Sequence, residues 1–199
     1  MADPMTLIDQ SEGSSSNDID IIESFHSMVA KHHATEEFRR KSPHVQETRT
    51  VLVIEPKHLP NSLLGSTLAS TDTIAKPYVL LDDDAGSLLS FYRLGSKLAG
   101  HVGMVHGGIA AVILDECMGR ACFARLPGKI AVTAKLELAY LSPIPVDSVI
   151  MVHAETANIQ GRKAWVKAVI QDASDGRELV KAEALYIQPR WAADMSRVV

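Results

Sequence analysis

His106-Gly107-Gly108-Ile109-Ala110-Ala111-Val112-Ile113-Leu114-Asp115-Glu116-Cys117-Met118-Gly119-Arg120-Ala121-Cys122-Phe123-Ala124-Arg125 is the stretch that decides how this chain is read. Two glycines open a helical run that is apolar almost all the way round, and a helix of that kind is normally buried. Inside the run stands one acidic pair, Asp115 and Glu116. A carboxylate there is expensive unless something pairs with it or uses it. Such conflicts between pattern and residue tend to fall at functional sites. Asp115 follows Gly108 by about two turns and so shares its face. Ala111 and Gly119 lie on that face too and leave space around the carboxylate. Glu116 points about 100° away, so one acid of the pair, not both, is expected to face the site.

Outward from this helix the pattern changes to strands. Leu126-Pro127-Gly128 is a stop signal. Lys129 to Leu141 alternates: Ile130, Val132, Ala134, Leu136, Leu138 and Tyr140 take one face, Thr133, Lys135 and Glu137 the other, as in a half-buried strand. Ser142-Pro143-Ile144-Pro145 turns the chain. Ser148–Ala157, Arg162–Asp172 and Glu178–Gln188 read as three further strands, with turns at Gln160-Gly161 and Ser174-Asp175-Gly176. On the other side of the helix, Tyr78–Leu81 and Ser87–Gly95 form a hairpin about the turn Asp82-Asp83-Asp84-Ala85-Gly86. The triple aspartate lacks the further spaced ligands of a calcium loop. Gly100, Gly103, Gly107 and Gly108 imply backbone that turns sharply or approaches something closely. Hairpin, buried helix and a four-strand meander give an α+β domain: a long central helix wrapped by a curved antiparallel sheet.

Before this domain the reading is weaker. Residues 1–17 have little to bury and are expected to be a flexible tail. Residues 18–76 form an N-terminal extension. Ile21, Ile22, Phe25, Met28 and Val29 recur at helical spacing from Asp18 to about His33, and the His32-His33 pair suits the solvated last turn of that helix. Ser42-Pro43 breaks helical structure. Thr50–Ile54 is a short β-like run, and Asn61–Lys76 is either a short helix or a flap beside the substrate. The domain proper spans 77–190, and 191–199 is a C-terminal tail.

Composition excludes several classes. Hydrophobic content is 46% and charged content 22%, as in a folded globular protein. A formal net charge of −4 offers no basic field and argues against nucleic acid as the main partner. No apolar run is long enough to span a bilayer. Cys117 and Cys122 turn to different faces of one helix, which suits neither a disulfide nor a metal pair. The first residues carry acids and no Lys or Arg, match neither a secretory nor a mitochondrial leader, and the C-terminus is not a peroxisomal signal. The cytoplasm is expected by elimination.

The segment His101–Gln188 resembles the hot-dog-fold acyl-CoA thioesterases. It is most similar to the group of phenylacetate-pathway thioesterases and thioesterase-superfamily-member-4-like proteins of animals and fungi, with a fungal member expected. The matching blocks are His106-Gly107-Gly108, Leu114-Asp115-Glu116, Val132–Leu136, Tyr140–Pro145 and Gln160-Gly161-Arg162-Lys163, in order and at matching spacing. The resemblance implies a hot-dog fold and thioester hydrolysis on an acyl-CoA or on an acyl or polyketide chain held by a carrier protein. It implies no cofactor or metal, with the coenzyme A thioester as substrate. It also implies a homodimer or dimer of dimers, in which the Thr matching Thr133 comes from the partner subunit.

The residues themselves support such chemistry. A thioester carbonyl gains negative charge on oxygen during attack, and a helix N-terminus offers unpaired N–H groups and a positive dipole end. Gly107 and Gly108 let those amides approach the carbonyl, and each such donor is worth about 3–4 kcal/mol to a transition state. Asp115 matches the family's acid, as nucleophile or as general base on water. The Thr133 hydroxyl could orient that water. His106 could bind substrate or pin the turn before the helix. Each has a plainer rival: tight packing for the glycines, a satisfied buried acid for Asp115, ordinary strand and turn roles for Thr133 and His106. Arg120, Arg125, Arg162 and Lys163 are candidates for coenzyme A phosphates or simply surface charge. Two other functions remain open: a non-catalytic acyl-thioester binder, and a hot-dog dehydratase pairing a His with an acid on a 3-hydroxyacyl chain.

Overall fold

The computed structural model describes residues 16–192. Apart from two residues each, the tails expected over 1–17 and 191–199 lie outside this range. The described chain begins with helix α1 (Ser16–Ala30), which buries Phe25 and Val29. A second helix, α2 (His33–Lys41), follows and buries Thr35 and Phe38. The histidine pair is therefore a joint and not a solvated end. His32 is extended (φ −67°, ψ 141°), its Nδ1 accepts the Ala34 N–H at 3.2 Å, and its Nε2 lies 2.9 Å from the Ala173 carbonyl. Ser42 ends α2, as the Ser-Pro step requires.

Strand β1 (Gln46–Thr48) pairs with β2 (Tyr78–Asp82). The strand expected at Thr50–Ile54 does not form, because β1 already fills the free edge of β2 and the chain bends away after Thr48. Arg49 marks that departure, its guanidinium 4.2 Å above the Tyr78 ring. A 3-10 turn (Leu59–Asn61) leads into the segment Asn61–Lys76, expected as a short helix or a flap, and a π-helical turn (Leu63–Thr67) lies within it. β2 and β3 (Ser87–Leu94) form the expected hairpin, with Gly86 at φ +68° in its turn. A two-strand ribbon, β4 (Ala99–His101) and β5 (Met104–Val105), leads into helix α3 (Gly107–Phe123).

After α3 come β6 (Val132–Tyr140), β7 (Ser148–Gln160), β8 (Lys163–Asp172) and β9 (Glu178–Ile187). The sheet order is β1-β2-β3-β7-β8-β9-β6, with every neighbouring pair antiparallel. This corrects the four-strand meander. The Ser142–Pro145 segment is a crossover: it leaves β6 on one edge beside β9 and places β7 against β3 in the middle of the sheet.

Both faces of the sheet are covered near β2 and β3. Val79, Leu81, Leu88 and Tyr92 join the main core with Ile113, Leu114 and Met118 of α3. Tyr78, Leu80, Leu89 and Phe91 join Phe25, Val29 and Phe38 of the two N-terminal helices. The extension thus backs the sheet, which is why these strands read as nearly continuous apolar runs. One ion pair ties the hairpin turn to the far end of α3: Arg120, 5% exposed, binds both Asp83 oxygens at 2.6 and 3.3 Å. Asp83→Ala leaves that guanidinium buried without its counter-ion. We expect an unfolding free energy lower by about 3 kcal/mol, measured by urea denaturation.

Candidate active site

Helix α3 starts at His106, its N-terminal cap. His106 is extended (φ −60°, ψ 131°), and its Nδ1 accepts the Gly108 N–H at 3.0 Å. Its backbone carbonyl accepts the Ile109 N–H at 2.9 Å. Two of the helix's first amides are therefore committed to the cap. Among the described residues the Gly107 N–H has no acceptor. The two glycines that sequence paired as amide donors thus separate: Gly108 serves the cap, and Gly107 presents the open donor. With Nδ1 accepting, a neutral His106 ring carries its proton on Nε2.

Nothing in the fold demands a glycine at 107. Its φ is not in the left-handed region, and an added Cβ would meet only the Tyr140 ring, at an ordinary 3.4 Å. Tyr140 also donates its hydroxyl to the Gly107 carbonyl at 2.9 Å. A cavity of about 320 Å³ opens here, lined by Val105, Gly107 and the run Tyr140–Ile144. Space above the first amide is what a bare helix N-terminus needs to receive an oxyanion.

Asp115 lies two turns along. Its Oδ1 accepts the Thr133 hydroxyl at 2.6 Å. The Tyr186 hydroxyl donates to the Asp115 carbonyl at 2.8 Å and lies 3.3 Å from Oδ1. Burial first, and then the Asp115 charge, push the Tyr186 hydroxyl well above its usual range, so it remains a donor. Thr133 and Tyr186 are direct cross-strand partners on β6 and β9, and such partners point to the same face.

Simple alternation placed Thr133 on the face opposite Leu136 and Leu138, away from the core. A β-bulge corrects that reading. Register runs Thr133↔Tyr186 and then Lys135↔Leu185, with Ala134 as the extra residue. One extra residue flips everything before it to the other face, and Thr133 turns towards α3. The contact with Asp115 forms inside one chain, whereas the resemblance implied a threonine from the partner. Tyr186 was missed in the sequence. It belongs to an apolar alternation in β9, and nothing local separates it from a core tyrosine.

Other candidates are placed elsewhere. Arg120 is consumed by Asp83. Arg125 donates to the Ala85 carbonyl at 2.9 Å and Arg162 to the Gln188 carbonyl at 2.8 Å. Lys163 is exposed on β8. Cys117 is fully buried between the Ser90 and Tyr92 hydroxyls, at 3.4 and 3.2 Å, and burial pushes its thiol up to about 12. It is a packed residue and not a nucleophile. Among the described residues no group of three or more His, Cys, Asp or Glu side chains could hold a metal ion.

Residues 102–178 match the thioesterase superfamily. The fold agrees: mouse thioesterase superfamily member 2 superposes with a TM-score of 0.50 at 15% identity, over 56% of this chain and 88% of the mouse chain. The architecture is the hot-dog fold, with a long helix against an antiparallel sheet. An uncharacterized mitochondrial protein of Candida albicans is 32% identical over 134 residues, 65% of this chain and 58% of that protein. Mouse acyl-coenzyme A thioesterase THEM4 is 35% identical over 100 residues, 50% of this chain and 42% of the mouse protein. The chain thus spans about half the length of these relatives. An uncharacterized mitochondrial membrane protein of Saccharomyces cerevisiae, FMP10, is 29% identical over 129 residues, 63% of this chain and 53% of that protein. The two mitochondrial yeast relatives overturn the cytoplasmic expectation. That expectation came from failing to find a leader in the first residues, which is weaker than relatives of known compartment.

The Thr133–Asp115 bond is testable without any substrate. A double-mutant cycle of Thr133→Val and Asp115→Ala in urea denaturation should give a coupling energy of about 1 kcal/mol. Additive losses would mean that the bond does not hold in solution.

Proposed function

We propose that this protein is a thioester hydrolase that releases a free acid and a thiol from an acyl-CoA, or from an acyl chain on a carrier protein. One observation carries the reading: the Asp115 carboxylate is held by Thr133 and Tyr186 on the same helix whose N-terminus leaves the Gly107 amide open. The match of residues 102–178 to the thioesterase superfamily and similarity to a protein named an acyl-coenzyme A thioesterase support it.

In this reading the thioester carbonyl sits against a Gly107 N–H, and because eight residues span about 12 Å of helix, the Asp115 that acts on it belongs to a second copy of the chain. With Thr133 on Oδ1, Asp115 acts through its remaining oxygen. As general base it takes a proton from water, and the water oxygen attacks the carbonyl carbon. The tetrahedral oxyanion is held by the Gly107 amide and the helix dipole. Its collapse breaks the carbon–sulfur bond, and the thiolate leaves with the proton that Asp115 took. As nucleophile, Asp115 would instead form an anhydride that water then opens. Protein groups and water suffice for either route, without a cofactor. His106 is engaged with the Gly108 amide, so the reading gives it the start of the helix and not the acid–base step of a dehydratase.

A homodimer or a dimer of dimers is part of the proposal. β6 is the last strand of the sheet, and Val132, Tyr140 and the following Leu141 are 43, 56 and 50% exposed. The mitochondrial naming of two relatives makes mitochondria the proposed compartment.

The test is thiol release from a panel of acyl-CoAs and acyl carrier proteins. The wild type should cleave at least one of them, and Asp115→Asn should lower kcat by about a hundredfold or more. Equal turnover by the two proteins would remove Asp115 from the mechanism. Binding of an acyl-CoA that is recovered intact would favour a non-catalytic carrier. A single turnover in ¹⁸O-labelled water separates the two routes, because only the nucleophilic route leaves label in the Asp115 carboxyl.

A further inference from the structure

Glu116, the second acid of the pair, faces a different space. A cavity of about 610 Å³ lies between its side of α3 and the segment 49–77. That size falls within the ~300–1,000 Å³ of small-molecule sites. Much of the wall is apolar, with Val51, Leu52, Ile54, Leu64, Ile74 and Tyr92 prominent. Every lining residue except Glu116 lies outside residues 102–178. The chamber is therefore made by the extension and β3 against the superfamily helix, and contains none of Asp115, Gly107, Gly108 or Thr133.

The wall is fixed in place. The Ala75 N–H donates to the Arg93 carbonyl at 3.1 Å, the Gly95 N–H to Thr73 at 2.6 Å and the Lys97 N–H to Asp72 at 3.0 Å. The Arg93 guanidinium holds the Thr71 carbonyl at 2.8 Å. A Cβ at Gly95 would overlap the Asp72 backbone, so this close approach requires glycine.

The Glu116 carboxyl receives no hydrogen bond from the described residues. Burial, and then the charge of Asp115, push it up to about 7. The other charged or titratable groups of the lining are Asp18 from α1, Arg49 and Lys76 from the extension, and Tyr92 from β3. Asp18 accepts the Thr71 hydroxyl, Arg49 is paired with Glu47, and the Tyr92 hydroxyl lies on the Cys117 sulfur.

Resting on the thioesterase reading above, we propose that this chamber takes the tail of a long acyl group whose thioester lies at Asp115, and that Glu116 determines which tails are accepted. Asp115 and Glu116 are adjacent on α3, and Val112 lies between their two faces, about 60° from Asp115. A tail crossing Val112 passes from the carbonyl site into the chamber. Neutral Glu116 tolerates hydrocarbon beside it. The carboxylate form must either lose its water against the tail or keep that water and exclude the tail. Long tails are therefore accepted below about pH 7 and resisted above it, while short ones that never reach Glu116 are unaffected.

The test compares hydrolysis of butanoyl-CoA and hexadecanoyl-CoA by the full chain, by Ala69→Trp and by Glu116→Gln. Ala69 is an exposed lining residue, so an indole there fills the chamber without entering the core. Ala69→Trp should lower kcat/KM for hexadecanoyl-CoA by about tenfold or more through lost methylene contacts, with butanoyl-CoA unchanged. In the wild type the hexadecanoyl-to-butanoyl ratio should fall between about pH 6 and pH 8, and Glu116→Gln should hold it level. If butanoyl-CoA is cleaved and Ala69→Trp leaves the ratio unchanged, the chamber is overturned and the thioesterase reading stands. A wild-type ratio that is flat with pH overturns the role of Glu116. If neither thioester is cleaved, the thioesterase reading fails, and calorimetry with hexadecanoyl-CoA and with CoA decides the chamber. Tighter binding of the acylated ligand, lost in Ala69→Trp, sustains it; equal binding of the two overturns it.

Discussion

The hydrogen bond from Thr133 to Asp115 depends on one surplus residue. Ala134 bulges from β6, and the side chain before it turns from the outer face to the helix. The paired Tyr186 then meets the same carboxylate from β9. A buried-type helix can carry an acid at this point because two hydroxyls arrive from the sheet to satisfy it. Without the bulge the helix would hold a carboxylate facing apolar strand residues, and the sheet would hold a threonine facing away.

The same helix separates its tasks by direction. Its N-terminus uses one glycine amide for the His106 cap and leaves the other open. Its Asp115 side meets β6 and β9, and its Glu116 side meets the chamber walled by the extension. The opposite side and the last turns are packed into the core, where Arg120 is neutralised by Asp83 and Cys117 is sealed between two hydroxyls. Two adjacent acids thus have distinct surroundings, and only Glu116 lacks a hydrogen-bond donor.

Much of this was legible in the sequence, because it is carried by local pattern. The α3 helix, the β2–β3 hairpin and the strands β7 to β9 follow from periodicity and turn residues, and the divergence of Asp115 from Glu116 follows from helix geometry. The failures share a cause: they depend on pairing across the chain. Thr133 was placed on the wrong face because a bulge is a property of two strands in register. The sequence places β6 in a meander because its true neighbour, β9, lies 40 to 55 residues away. Residues 50–54 have strand-like composition but no free edge to join. Tyr186 looks like any core aromatic until its hydroxyl is seen beside Asp115. His32 caps α2 with one ring nitrogen while its other meets the carbonyl of Ala173, far along the sequence.

The central claim is that the bulge delivers a working hydroxyl to Asp115. The most direct measurement is kcat and KM of Thr133→Val on whichever acyl thioester the wild type cleaves, with Thr133→Ser as the control. The expected result is a kcat lower by about tenfold or more with KM little changed, recovered largely by serine, which keeps the hydroxyl. A valine variant that turns over as fast as the wild type would contradict the claim.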